Sequence, residues 1–472
     1  MSDPALLDLS EIADAIASRR ISSVEATLAC LDRIKAWQPE VNAFIRLDEE
    51  VALNTAAARD ADLAAGKSRG KLHGVPLAHK DLLYRKGKVT TGGSKILRDV
   101  KAERTSTLLA RLDAAGAVDL GTLNMSEFAA GPTGHNVHYG PARNPYDRTR
   151  ITGGSSSGSG AAVAARLAFG SLGSDTGGSI RLPAAACNVV GLKATYGRIS
   201  RHGAIARSWS LDHVGPLART ARDCAIIFSA VAGHDPDDPT TSTRPLPDLS
   251  HLDNTSLAGL KIGVPSDIVL KAVDPAIANL LQTTHRVLQA RGAQLREVSF
   301  PDLVKLADIG ETIIKSEAAT MHRDWVRTRP QDYATQVRVR IEAGFYIPAT
   351  QYLDALRLRR TLLEKFLTET MAEIDLLHAP VIPFPVPTIQ QTDVEAEGGE
   401  AMLRVVRSLT TFTRPFNFLG VPAISVPCGF DAAGLPVAFQ LVGRPFDEAL
   451  CLRAANAYQA ATDFHRSAPR LR

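Results

Sequence analysis

Apolar residues recur at helical spacing near the start of the chain: Leu6, Leu7, Ile12, Ala13 and Ile16, then Val24, Leu28, Leu31 and Ile34. The pattern predicts two amphipathic helices over residues 6–36, the second entered through Ser22 and Ser23, whose hydroxyls suit an N-cap. Asn42 to Ile45 reads as a short strand, and a polar, alanine-containing helix follows to about Ala65. Val75 to Ala78 is a short apolar run that ends in His79-Lys80-Asp81. Ser106 to Ala114 predicts a helix and Gly116 to Leu120 a strand. Farther along, the stretch 195–233 reads as strand, loop and helix, and Lys261 to Pro265 and Asp375 to Ile382 as strands. Ala276 to Arg291 and most of 307–373 read as helix. Phe416 to Gly443 predicts two strands around a glycine turn, then a helix to about Ala461. Strands alternating with helices over the whole length argue for an α/β fold.

The polar interruptions divide this pattern. From His234 to Ala258 the composition shifts to Asp, Pro, Thr and Ser, which marks a surface excursion and the best internal boundary. The segment 121–147 is rich in Gly, Asn and Pro, and long irregular segments inside compact proteins tend to line sites. Its His135 and His138 lack a downstream partner at metal-ligand spacing, so no metal site is expected.

Composition narrows the class. A formal charge of +4 over 472 residues is too small to argue for nucleic acid. No apolar run is long enough for a transmembrane helix, and the N-terminus lacks a basic leader with an apolar core. The five cysteines are scattered among mostly apolar neighbours without a CxxC, as expected of buried thiols in a reducing cytoplasm.

The chemistry concentrates in Ile151 to Lys193. Two Gly/Ser-rich loops, Gly153 to Gly160 and Gly173 to Ser179, flank a small-residue segment, Ala161 to Phe169. Gly154-Ser155-Ser156-Ser157-Gly158 matches GxSxG formally, with Ser156 as nucleophile, but the polar NPYDRTRIT before it is not the buried strand that motif requires. Ser179 is the better nucleophile, because backbone N–H groups from Thr176 to Ser179 can converge beside its hydroxyl as an oxyanion needs. No nearby histidine offers a base. Asp212 and His213 invite a triad reading, yet adjacent side chains on an extended backbone point to opposite sides. A lysine serves as base if burial keeps it neutral. Lys80, at the end of an apolar run, suits that role, with a hydroxyl such as Ser155 relaying the proton. The competing reading is a surface lysine opening the basic loop of Arg85, Lys86 and Lys88.

The stretch GGSSSGSGAAVAARLAFGSLGSDTGGSIRLPAAACNVVGLK resembles the signature of the amidase signature family. The resemblance continues through GVPLAHKDLL, GTLNMSEFAAG, ARNPYD, TYGRIS, SLDHVGP and GVPAISVPCG, in order and over most of the chain. It implies an α/β amidase signature fold, a central mixed twisted sheet flanked by helices on both faces. It implies one domain over 1–472: N-terminal helices to about 65, a catalytic core of about 66–232, the excursion at 234–258, and a C-terminal part from about 259 completing sheet and pocket. It also implies a Ser–cis-Ser–Lys triad: Lys80 as base, Ser155 after a cis peptide bond, and Ser179 as the acyl-forming nucleophile. The N–H groups of Thr176, Gly177, Gly178 and Ser179 would line the oxyanion hole, with Ser156, Asp175 and Arg181 as supports. No metal or cofactor is implied, and the expected partner is a small-molecule amide.

Within such a family the main expectation is a stand-alone amidase. The A subunit of the tRNA-dependent amidotransferase is the alternative; it usually carries an aspartate gripping the glutamine amino group where Thr410 stands here. Its paired arginines before a glycine appear as Arg338-Val339-Arg340. A non-catalytic interaction subunit is the alternative of another class. Met125, Gly131, Arg207 and Trp209 are candidate pocket residues; Arg207 reads either as a contact for a substrate carboxylate or as a surface arginine. A cytoplasmic homodimer without nucleic-acid or membrane partners completes the expectation.

Overall fold

The structure, a computed structural model, describes residues 3–266, 272–393 and 400–470. The two N-terminal helices form where the apolar period places them, at Leu9–Ala17 and Ser23–Val41. Ser22 is the N-cap of the second, its Oγ accepting from the Glu25 N–H at 3.0 Å. Leu9, Ile12, Ile16, Leu31 and Ile34 are buried, whereas Leu6 and Leu28 leave the stripe and are exposed.

The helices pack on a mixed sheet that has eleven strands among the described residues. In chain order its strands are β1 (Phe44–Leu47), β2 (Pro76–Lys80) and β3 (Val118–Leu123). A separate two-stranded ribbon, β4 (Arg143–Asn144) and β5 (Asp147–Ile151), follows. The large sheet resumes with β6 (Gly170–Asp175), β7 (Val190–Lys193), β8 (His213–Ala218), β9 (Lys261–Pro265) and β10 (Gln294–Val298). It ends with β11 (Leu376–Pro380), β12 (Ala423–Phe430) and β13 (Pro436–Val442). The spatial order is β1-β3-β2-β6-β8-β7-β12-β13-β11-β9-β10. The strands after the 234–258 excursion join the same sheet as those before it, through the antiparallel pairing of Ile424 with Leu192.

This order positions the site. β2 and β6 are parallel neighbours, with Leu77 opposite Gly170 and His79 opposite Leu172, so their C-terminal ends leave the sheet at one edge. Such edges are where open α/β sheets gather reactive groups. β8 runs antiparallel to β6 and sets His213 opposite Asp175. Lys80, Asp175 and the Asp212–His213 step therefore meet at one place.

The two predicted glycine-rich loops are shorter than the sequence suggests. Ser157–Ala164 is helix, and Gly173 to Asp175 finish β6. The glycines there permit contact rather than turning. A Cβ on Gly158 would lie 2.5 Å from the Asn124 nitrogen, and one on Gly160 2.8 Å from Pro183 Cβ. One on Gly173 would meet Ser156 Oγ at 2.9 Å. Bare backbone lets the helix lie directly against β6 and the helix Arg181–Ala186. All five cysteines are buried and unpaired, and no described helix is long and apolar enough to cross a membrane.

Candidate active site

Lys80 is completely buried, which rules out the surface-lysine reading. Its Nζ donates to Ser155 Oγ at 2.7 Å and to Ser174 Oγ at 2.8 Å. Its contacts are hydroxyls, with no carboxylate in ion-pair range among the described residues. Burial pushes the Lys80 ammonium down from 10.5 to about 7, opposed in part by the charges of Asp212 and Asp175. A buried lysine that is neutral for part of the time at neutral pH can accept a proton from the hydroxyl it touches.

Ser155 stands on a glycine turn. Gly153 and Gly154 both have positive φ, and a Cβ on Gly154 would lie 2.9 Å from Ser179 Cα. The Ser155 turn and Ser179 therefore approach backbone to backbone. No cis peptide bond occurs among the described residues. The cis bond implied before Ser155 is replaced by the trans form that ordinary amides favour, and Ser155 still reaches Lys80. Ser156, implied as a support, donates to the Ser174 carbonyl at 3.0 Å and accepts from the Ser174 N–H at 3.1 Å. Ser156 thus clamps the turn onto β6.

Asp175 and Arg181, both fully buried, brace the backbone on either side of Ser179. Asp175 Oδ1 accepts from the Gly178 N–H at 2.7 Å and Asn417 Nδ2 at 2.8 Å. Asp175 Oδ2 accepts from the Ile180 N–H and from Arg181 Nε, each at 3.1 Å. Arg181 continues to Gln440 Oε1 at 2.9 Å, the Thr413 carbonyl at 2.9 Å and Asn417 Oδ1 at 2.7 Å. These donors, Arg181 above all, outweigh burial and hold the Asp175 carboxyl well below the usual range. One oxyanion expectation changes as a result. The Gly178 N–H is committed to Asp175, because a buried carboxylate needs every donor within reach. The N–H groups of Thr176, Gly177 and Ser179 have no acceptor among the described residues. Gly178 has φ +127°, a conformation L side chains rarely adopt.

Ser179 lines a cavity of about 780 Å³ together with Thr176, Gly177, Gly131, Arg207, Arg340 and Thr410. Gly131 and Arg207 thus line this cavity, and Arg207, only 7% exposed, is no surface arginine. Met125 and Trp209 do not line it. Met125 is wholly buried behind Gly93, and Trp209 borders a second cavity of about 280 Å³ beside Ser174 and Asp212. Asp212 accepts from the Thr176 hydroxyl at 2.6 Å, while His213 turns its Nδ1 to the Leu211 carbonyl at 2.8 Å. The pair diverges, as expected of adjacent strand residues. Among the described residues no group of three His, Cys, Asp or Glu is placed to hold a metal ion. His135 meets Thr392 at 2.9 Å, and His138 meets Glu127 at 2.8 Å.

A family model described as Amidase matches residues 25–452. The chain belongs to the amidase family. The A subunit of the glutamyl-tRNA(Gln) amidotransferase of Chloroflexus aurantiacus is 40% identical over 479 residues, covering 97% of each chain. Among solved structures, a chain from a vestigial protein complex, described for the origins of an s-triazine catabolic enzyme, is 38% identical. It superposes with a TM-score of 0.88 over 96% of this chain and 98% of its own. A peptide amidase in complex with the competitive inhibitor chymostatin is 30% identical, with a TM-score of 0.85 over 98% and 99%.

For this member of the family, sequence reasoning missed Ser174, the second hydroxyl on Lys80, and Asn417, Gln440 and Thr413, which surround Arg181. Ser174 sits inside the quoted signature, so its seryl neighbours were the available signal. Asn417, Gln440 and Thr413 come from remote segments and carry no local signal.

Proposed function

We propose that this chain hydrolyses a carboxylic amide to the acid plus ammonia or an amine, through an acyl-enzyme on Ser179. The observation that carries the reading is the buried 2.7 Å contact between Lys80 and Ser155, on a turn packed against Ser179. Neutral Lys80 takes a proton from Ser155 as Ser155 takes one from Ser179, whose Oγ attacks the carbonyl carbon. The N–H groups of Thr176, Gly177 and Ser179 receive the oxyanion. Collapse breaks the C–N bond, and the proton returns by the same path to the leaving nitrogen. Water, deprotonated along that path, then attacks the ester and releases the acid and the Ser179 hydroxyl.

A second reading is the A subunit of a tRNA-dependent amidotransferase, which the curated relatives favour over a stand-alone amidase. Amide hydrolysis at Ser179 is common to both. Thr410 and the interrupted Arg338-Val339-Arg340 favour the stand-alone enzyme. The test is release of ammonia or amine by the purified chain from primary amides, anilides and glutamine, beside Ser179→Ala. Turnover of simple amides that Ser179→Ala lacks supports the amidase. Turnover of glutamine alone, or only with partner subunits, moves the assignment to the amidotransferase. Equal activity of Ser179→Ala and the parent refutes catalysis by Ser179.

A further inference from the structure

We infer that the amide taken by this site carries a carboxylate, and that the Arg207 guanidinium is its anchor. The inference rests on the proposed amide hydrolysis at Ser179 and names its substrate class.

The backbone around Arg207 is fixed on both sides. Asp212 Oδ2 accepts from the N–H groups of Arg207 at 2.7 Å and Ser208 at 2.9 Å. Glu317 accepts from the Ser208 hydroxyl at 2.6 Å, the Ser210 N–H at 3.0 Å and the Tyr352 hydroxyl at 3.0 Å. The guanidinium itself has no hydrogen-bond or ion-pair partner among the described residues, and its Nη1 is buried without one. It nevertheless lines the cavity that holds Ser179. A rigid loop that holds a buried, unpaired cation over a reaction pocket is an incomplete ion pair, since buried charges are ordinarily paired.

The rest of the cavity wall does not complete it. Of the two carboxylates there, Asp308 is exposed, and the half-buried Glu311 is held by Arg414 at 3.0 Å and Lys315 at 3.6 Å. Arg340, also on the wall, gives its Nη1 to the Ala130 carbonyl at 2.7 Å. Four guanidiniums, of Arg207, Arg340, Arg407 and Arg414, and the Lys315 ammonium line the cavity against two carboxylates, Asp308 and Glu311, which leaves positive charge facing the pocket. Burial pushes Arg207 down only to about 10, so it stays charged at neutral pH. The planar fork of a guanidinium matches a carboxylate in bidentate fashion.

Two matched pairs test this: succinamate against levulinamide, and N-acetylglycine against N-acetylaminoacetone, a methyl ketone replacing the carboxylate in each. Charge-assisted hydrogen bonds predict that kcat/KM favours the anion in at least one pair by about tenfold or more. Arg207→Met brings that ratio near one through KM, and Arg207→Lys restores part of it, which a merely structural role would not do. No preference in either pair, or an unchanged preference in Arg207→Met, overturns the proposal. Calorimetry on Ser179→Ala reads the anchor without turnover: succinamate or N-acetylglycine binds, and adding Arg207→Met weakens it about tenfold. If the parent hydrolyses none of the four but that binding holds, amide hydrolysis falls and the anion site stands. Absence of both turnover and binding overturns the anchor. If Arg207→Met melts early, Arg207→Gln carries the same comparison.

Discussion

The protonation of Lys80 sets the pH at which the proposed chemistry can start. Its ammonium is pushed down to about 7 from 10.5, which is a loss of about 5 kcal/mol in the stability of the ammonium relative to the neutral amine. An unperturbed lysine would be neutral in only about 0.03% of molecules at pH 7, whereas Lys80 is neutral in about half. At pH 5 the fraction falls to about 1%, and at pH 8 it reaches about 90%. The sign follows directly: the base is the neutral form, so activity rises with pH. The pH profile of kcat/KM for a good amide substrate between pH 5 and 9 should climb about tenfold per pH unit at the acid end, then flatten near 7. Asp212→Asn removes a charge that favours the ammonium, so the same limb should move to lower pH. Lys80→Met should remove the limb and lower kcat/KM by about 10²–10⁴. A profile that is flat from pH 5 to 9, or a limb unchanged in Lys80→Met, would refute the assignment of Lys80 as base.

Two further perturbations test the surroundings. Asp175→Asn leaves Arg181 buried without its counter-charge and should cost about 3–5 kcal/mol, read as a lowered melting temperature. Because the Asp175 carboxyl is held below its ordinary 3.8, its contribution is present above that pH and lost below it, so parent and variant should converge in strong acid. Ser174→Ala removes one of the two hydroxyls on Lys80. It should lower kcat/KM by about tenfold and, by taking an acceptor from the ammonium, move the acid limb downward; an unchanged limb counts against the Ser174 contact.

What was legible in the sequence was local. The apolar periods of residues 6–36 and 75–80 are set by neighbours within one or two turns, and they produced the expected helices and β2. The glycines of 153–179 misled because their meaning depends on what approaches them. Gly158 and Gly160 read as loop residues, but the Asn124 backbone and Pro183 leave no room for a Cβ, and a helix forms there. Pocket residues at 207 and 209 could not be sorted by spacing. Asp212 and Glu317 pin the turn, with Glu317 arriving from 107 residues away to hold Ser210, so Arg207 and Trp209 border different cavities.

Lys80 shows why a local pattern sometimes suffices even for chemistry. Asp81 is its neighbour in sequence and looks like its counter-ion. Successive strand residues face opposite ways, however, and Asp81 is turned aside to the Thr91 N–H at 3.0 Å and the Thr91 hydroxyl. The lysine is left on the face that meets Ser155 and Ser174. A strand that is apolar before its lysine and alternates at its end therefore separates the charge from the nearest acid. That separation helps keep Lys80 close to neutrality. Had the acid stood two residues away instead of one, it would have shared that face, stabilised the ammonium and removed the proposed base.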